Sequence, residues 1–224
     1  MRLPSRARAW MAVFATAVIV VTLSAAPPAQ SPSGTSTRES FRDLYSRGHQ
    51  AGAAIKTLTA RFTETTTSSL LTRPLVARGT LTVQRPARVM LRYTDPEARL
   101  VLIDGDRMTT SWPARHLRET SNIASAQGRV QKYLANESAD ELLKQFDVEV
   151  HDPGERPRSF EVRLTPRRRQ VRETVTRLDL FVERPSFLLG AIRLSFANTD
   201  TKMMVFDDVE PNATIPPDAF ALDR

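Results

Sequence analysis

The side chains of this sequence that could take part in catalysis or metal binding are three histidines and scattered acidic residues. His49, His116 and His151 lie far apart in the chain, and none stands in an acidic pattern typical of metal ligands. Cysteine is absent, which rules out a disulfide framework, thiolate metal sites and a cysteine-anchored lipid. We therefore expect no metal ion and no cofactor.

Motifs for hydrolytic or phosphate chemistry do not occur in the sequence. It contains no Gly-x-Ser-x-Gly, no glycine-rich phosphate loop and no His-Glu-x-x-His. The acids Asp104, Asp106, Asp207 and Asp208 fall at predicted turns or strand ends, where solvation explains them. A pair of glycosidase carboxylates stays open, because such a pair need not be adjacent in sequence. We expect that the chain is not an enzyme.

The stretch from residue 78 to residue 112 contains predicted strands that could position a binding site. Polar and apolar side chains alternate along it with a period of two, which marks strands with two differently used faces. Pro86, Asp95-Pro96 and Asp104-Gly105 interrupt it, and Asp-Gly between two such runs is a strong hairpin signal. The stretch therefore predicts an antiparallel meander of three or four strands.

One strand of this meander carries large side chains on both faces. Val89, Leu91 and Tyr93 alternate with residues that include Met90. A sheet that is apolar on both sides must be covered on both, or one side must hold something other than protein. The pattern thus allows either protein on both faces or a ligand on one of them.

Helical patterns flank the meander. Apolar residues recur at three-to-four spacing over residues 38–56, and two short helices are predicted within residues 122–146, separated by a cap at residues 136–138. Further strands are predicted at residues 58–69, 115–120, 146–150, 159–165, 173–183, 188–197 and 202–209. We predict a mainly β (α+β) fold. It is a curved antiparallel sheet of about ten strands that forms an unclosed half-barrel, with a helical lid in its concavity.

The composition suits one globular domain with extensions, since the chain has 224 residues and 41% of them are hydrophobic. Residues 1–26 have the basic start, apolar run and small final residues of a signal peptide. Pro27 follows the Ser24-Ala25-Ala26 cleavage site directly, so an uncleaved N-terminal anchor is the alternative. Residues 27–37 form a Pro/Ser/Thr-rich linker, and residues 38–224 form the exported domain.

The net charge of +7 raises the question of a nucleic-acid partner. Export argues against one, and we expect no nucleic acid. The densest basic run, Arg167 to Arg169, follows Pro166 and precedes a predicted strand, so it fits a solvated hairpin tip. Its functional interpretation is attraction to an anionic membrane surface.

Short motifs occur in a fixed order along the chain. The meander contains Gly79-Thr80-Leu81, Gln84-Arg85-Pro86, Tyr93-Thr94-Asp95-Pro96, Asp104-Gly105 and Trp112. The strand before it reads Leu58-x-Ala60-x-Phe62-Thr63-Glu64, and residues 215–220 close the chain with prolines and a phenylalanine. This pattern, over residues 39–222, resembles the LolA-type periplasmic carriers of outer-membrane lipoproteins.

The resemblance implies a periplasmic carrier that shields lipoprotein acyl chains in a hydrophobic cavity and ferries them from the inner to the outer membrane. Its implied partners are acylated lipoproteins or lipid, a releasing complex at the inner membrane and an acceptor at the outer membrane, and we expect a monomer. Two alternatives are a carrier of a free lipid or glycolipid and a lipid-sensing periplasmic regulatory domain.

An acyl-binding cavity must have an apolar lining that protein alone does not fill. The residues that we predict to line it are Leu81, Val83, Val89, Leu91, Tyr93, Leu102, Trp112, Ile123, Leu142, Leu143, Leu180, Val182, Ile192 and Leu194. The choice of sheet face depends on strand phase, because a shift of one residue exchanges the two faces.

Arg85 is the residue to which the resemblance assigns a special role, that of a latch hydrogen-bonded to the lid. Its alternation phase places it with Leu81 and Val83 on the apolar side, where a guanidinium must find acceptors or reach water. The carbonyl groups at the ends of the lid helices offer acceptors. The alternative is that Arg85 reaches solvent at the rim.

Overall fold

The computed structural model describes residues 37–122, 139–152 and 154–222. The described chain contains three α-helices: α1 (Thr37–Ala53), α2 (Ala139–Gln145) and α3 (Arg169–Arg172). Its strands are β1 (Thr57–Thr67), β2 (Leu75–Gln84), β3 (Arg88–Asp95), β4 (Arg99–Asp104), β5 (Arg107–Trp112), β6 (Leu117–Asn122), β7 (Phe146–His151), β8 (Ser159–Pro166), β9 (Val175–Glu183), β10 (Leu189–Phe196) and β11 (Thr201–Pro211). A 3-10 turn, Pro113–Arg115, joins β5 to β6.

All 11 strands belong to one antiparallel sheet in the order β6-β5-β4-β3-β2-β1-β11-β10-β9-β8-β7. β1 lies at its centre, between β2 and β11, and the two edge strands, β6 and β7, are not neighbours. The sheet is therefore unclosed. This confirms the predicted half-barrel, and the meander of residues 78–112 is β2 to β5.

The helices α1 and α2 cover one face of this sheet, which we call the inner face. Phe41 and Leu44 of α1 and Leu142 and Leu143 of α2 share one buried cluster with strand residues such as Phe62. The predicted helix of residues 38–56 is α1, which ends three residues earlier. The second helix predicted within residues 122–146 is α2, whereas the first one and the cap at residues 136–138 lie outside the described residues.

The outer face of β8, β9 and β10 is covered by charged side chains. Asp179 and Glu161 are fully buried there, and Arg193 donates to Asp179 at 2.7 Å while Arg163 donates to Glu161 at 2.8 Å. Arg193 also donates to Glu155 at 2.7 Å, which lowers the pKa of that carboxyl group. Buried carboxylates are stable only when paired and hydrogen-bonded, so this network holds the three strands in register.

Gly79 shows how the sequence makes room on the inner face. It lies opposite Tyr93 in β3, whose ring meets the Phe62 ring edge-on with centroids 4.9 Å apart. A Cβ at Gly79 would overlap the backbone carbonyl oxygen of Arg92 and stand 2.8 Å from the tip of the Phe62 ring. The absence of a side chain therefore allows β2, β3 and the Phe62 ring to pack together.

We expect Gly79→Ala to lower the free energy of unfolding by about 1–3 kcal/mol, because the backbone oxygen of Arg92 cannot move away without a shift of β3. The measurement is urea unfolding followed by circular dichroism. The control is Gly190→Ala, where the three atoms nearest to the added methyl all belong to the flexible Glu183 side chain and none to the backbone, and there we expect a smaller loss. Equal losses would contradict the packing role of Gly79.

Candidate functional site

The inner face carries a continuous apolar cluster that extends from β5 across the sheet centre to β8. The predicted lining residues that join it as buried members are Leu81, Val83, Leu91, Tyr93, Leu142, Leu143, Leu180, Val182, Ile192 and Leu194, and Val89 packs against its border half-buried. Sequence periodicity therefore assigned these residues to one surface. Whether that surface holds acyl chains stays a prediction.

Leu102 was predicted to line this face, and the placement is wrong. In β4 the inner positions are Val101 and Ile103, which belong to the buried cluster, whereas Leu102 pairs with Met90 on the outer face. Four consecutive apolar residues, Leu100 to Ile103, give no alternation from which the phase could be read. Met90 itself is buried on the outer face, so both faces of β3 are covered.

Two further predicted residues do not join the described cluster. Trp112 is half-buried at the end of β5. By alternation it lies on the same face of the strand as Met108. Ile123 lies outside the described residues.

An open cavity of about 690 Å³ near Leu102 belongs to the outer side of β4 to β6, where Thr109, Thr120 and Leu222 contribute to its lining. It is separate from the inner apolar cluster.

The two helices over the inner face are tied to each other at their exposed sides. Arg42 of α1 donates to the Asp140 carboxylate of α2 through Nε at 2.9 Å and Nη2 at 2.6 Å. Both side chains are about half exposed, so this ion pair adds little to stability. The apolar residues beneath the pair, which belong to the inner cluster, hold α1 and α2 on the sheet.

Arg85 is exposed at the end of β2, and its backbone N–H donates to the carbonyl oxygen of Lys56 at 2.9 Å. The alternation of β2 places Arg85 on the same side as the buried Leu81 and Val83. The arginine thus stands at the rim of the inner face. Its role as a lid latch stays a prediction.

A polar cluster interrupts the apolar inner face near the far end of β1. The Tyr93 hydroxyl donates to Glu64 at 2.9 Å, Lys202 stands 3.0 Å from the other Glu64 oxygen, and the Arg99 guanidinium lies over the Tyr93 ring at 3.8 Å. Burial, together with the Glu64 charge, raises the pKa of the Tyr93 hydroxyl above its usual 10.0, so Tyr93 stays a proton donor. This end of the inner face can hold a charge, whereas the remainder cannot.

Sequence reasoning missed this cluster, although a signal existed. Glu64 falls at an inner position of β1, in phase with Leu58, Ala60 and Phe62, where a carboxylate needs partners. Tyr93 was predicted as an apolar lining residue, and the structure adds the hydrogen bond of its hydroxyl. The partners Arg99 and Lys202 come from strands far apart in sequence, so only the sheet order reveals them.

Two further observations bear on the kind of site. In the described part of the chain, no group of histidine and acidic side chains could hold a metal ion. None of the helices within residues 37–122, 139–152 and 154–222 is long and apolar enough to span a bilayer. The chemistry that the inner face offers is apolar contact, with one charged cluster near its end.

Several solved structures are similar to this chain. A LolA superfamily protein from Nitrosomonas europaea is 10% identical, with 84% of this chain and 99% of that chain covered and a TM-score of 0.40. MucB, in its complex with MucA from Pseudomonas aeruginosa, is 17% identical, with coverages of 82% and 61% and a TM-score of 0.47. The lipoprotein LppX of Mycobacterium tuberculosis is 11% identical, with coverages of 73% and 90% and a TM-score of 0.43.

No match was found among curated proteins. The sequence model of one family, described as outer membrane lipoprotein carrier protein LolA, matches residues 53–223. That range starts at the end of α1 and includes every strand of the sheet. The chain therefore belongs to the LolA family of outer membrane lipoprotein carrier proteins.

Proposed function

We propose that this protein is a periplasmic carrier that shields the acyl chains of lipoproteins on its inner face and ferries them from the inner to the outer membrane. The observation that carries the proposal is the family match over residues 53–223. The inner face supports it, because its apolar cluster crosses the sheet and is covered by the helices α1 and α2. The proposed partners are a releasing complex at the inner membrane and an acceptor at the outer membrane.

Reversible carriage sets a physical requirement that this architecture can meet. Each buried methylene contributes about 0.8 kcal/mol, so a cavity that held whole acyl chains with no competing contacts would release them very slowly. When α1 and α2 pack on the inner face without cargo, their own contacts are exchanged for ligand contacts on loading. The net affinity is then the difference between the two sets of contacts.

The same inner face would serve a carrier of free lipid or glycolipid, or a lipid-sensing regulatory domain. Mass spectrometry of material co-purified with the protein from its native host separates these functions. An acylated protein supports the proposal, a free lipid supports the second function, and a bound regulatory protein supports the third. A preparation that holds none of these in repeated isolations would count against lipid carriage.

We expect Val89→Asp to weaken binding of a hydrophobic fluorophore by about tenfold or more, because a carboxylate beside the ligand must lose its hydration. Val89 is half-buried at the border of the inner cluster, so the folded state should tolerate the change. The measurement is fluorescence titration, followed by displacement with a lipopeptide.

The matched control is Val205→Asp. Val205 is also half-buried, and it lies between the inner residues Met204 and Phe206, so it points to the outer face. Binding by Val205→Asp should equal that of the wild type, and circular dichroism should show both variants folded. Equal weakening by both substitutions, or no displacement by lipopeptide, would contradict an inner binding site.

We expect Arg85→Leu to fold normally and to slow lipoprotein transfer to the acceptor by about tenfold. Loss of a charge-assisted hydrogen bond to the lid changes the balance between closed and loaded forms by about that factor. Transfer of a labelled lipoprotein to acceptor-containing vesicles measures it. The control is Arg61→Leu, an exposed arginine on the outer face that pairs with Asp208. Equal transfer by wild type and Arg85→Leu would contradict the latch role of Arg85 and would not contradict the proposed carrier function.

A further inference from the structure

The antiparallel sheet gathers alternate connections at the same end of the molecule. β1 runs toward the end at which β2 begins, and the strand order then places five connections there: residues 68–74, 96–98, 113–116, 167–174 and 197–200. We call this set the distal end, since it lies opposite the junction of α1 with β1. Features that are scattered in sequence thus share one surface.

The exposed leucines of the described chain all lie at the distal end. Leu70 is 90% exposed and Leu71 42% exposed in the β1–β2 connection, and Leu75 and Leu117, 53% and 42% exposed, are the first residues of β2 and β6. No other large hydrophobic side chain in the described residues is comparably exposed. Leu70, Leu71 and Leu75 fall within one six-residue stretch, and a contiguous exposed apolar patch marks an interaction surface.

The turn that carries Leu70 is ordered by its own hydrogen bonds. The backbone N–H of Leu71 donates to the carbonyl oxygen of Ser68 at 3.1 Å, and the N–H of Leu70 donates to the Ser68 hydroxyl at 3.2 Å. These bonds fix a tight turn with its leucines directed away from the sheet. Exposure of Leu70 is therefore a property of the folded turn.

The charge of the distal end identifies the kind of partner. Its five connections contain six arginines, among them Arg73 and Arg168, against three acids. Three of these arginines are paired with acids: Arg115 binds Glu97 at 2.6 Å, Arg169 lies 3.5 Å from Glu173, and Arg167 lies 2.7 Å from Asp147 of β7. The third acid, Asp200, accepts from Asn198 at 2.8 Å. The five connections thus carry a net charge of +3, six arginines less three acids.

We infer that the distal end docks on an anionic lipid bilayer, with Leu70 and Leu71 entering the interface and arginines of the same end, such as Arg73 and Arg168, contacting lipid phosphates. Leucines supply apolar area to the boundary between headgroups and acyl chains, and each nearby arginine adds attraction to the negative surface. A bilayer suits this arrangement because it accepts leucines from separate turns without requiring a shaped pocket. The inference does not depend on which cargo the inner face holds.

Vesicle co-sedimentation tests the inference with the purified protein. We expect the wild type to sediment with vesicles of phosphatidylcholine and phosphatidylglycerol in equal parts and to bind pure phosphatidylcholine vesicles much more weakly. Leu70→Ser combined with Leu71→Ser should weaken binding by about tenfold or more, because the apolar area at the tip is lost. Arg168→Gln should weaken it by about fivefold, the effect of one basic residue near an anionic surface.

Arg158→Gln is the matched control for charge. Arg158 is exposed in the connection before β8, at the opposite end of the sheet, so vesicle binding should not change. Circular dichroism should show that all variants fold, since the substituted side chains are exposed. A wild type that stays in the supernatant with both kinds of vesicle would overturn the inference and leave a protein as the partner of the distal end.

A direct measurement of insertion uses the absence of cysteine from the chain. Leu70→Cys, labelled with an environment-sensitive fluorophore, should show a blue shift and brighter emission with anionic vesicles. The same label at Asp106→Cys, in the β4–β5 turn at the opposite end, should not respond. Equal responses, or sedimentation without a Leu70 response, would overturn insertion of the leucines. Neither result depends on lipoprotein transfer, so the proposed function is tested separately.

Discussion

The pairing of β1 with β11 is the interaction on which the rest of the structure depends. It brings residue 58 opposite residue 211 and joins two antiparallel wings, β2 to β6 and β10 to β7, along one central strand. Each wing grows outward from this centre, so the edge strands are left apart. An apolar face that does not close on itself must be covered by other elements, and this requirement explains why helices lie over the inner face.

The side chains buried on the two faces of the sheet are stabilised by different interactions. The inner face buries apolar side chains against helices, whereas the outer face of β8 to β10 buries Asp179 and Glu161 beneath arginines. A charged network with several hydrogen bonds fixes geometry, and truncation of one partner leaves another buried and unpaired. Apolar contacts tolerate exchange of one apolar group for another. The face held by charged hydrogen bonds and the face held by apolar contacts are therefore opposite sides of the same strands.

Sequence periodicity predicted the fold well, because an antiparallel sheet with one helix-covered face imposes alternation on nearly every strand. It failed where alternation was absent. The phase of β4 could not be read from the apolar run that contains Leu102. The arginine run does lie exposed at the β8–β9 hairpin tip, and the structure adds the one-turn helix α3 there. The Glu64 and Lys202 pair depends on β1 beside β11, a contact between residues 138 positions apart that local patterns do not encode.

The polar cluster makes the two ends of the inner face chemically different. Glu64, Tyr93 and Lys202 lie near the distal end, whereas Arg85 and the start of β1 lie at the other. A methylene chain gains free energy along the apolar part of the face, but contact with the buried carboxylate would displace one of its partners without replacing the hydrogen bond. Within the proposed function, acyl chains would therefore end before Glu64 and leave their polar attachment toward the rim at Arg85. The distal end, with its cationic and leucine-bearing turns, would then be free to contact a membrane while cargo occupies the face.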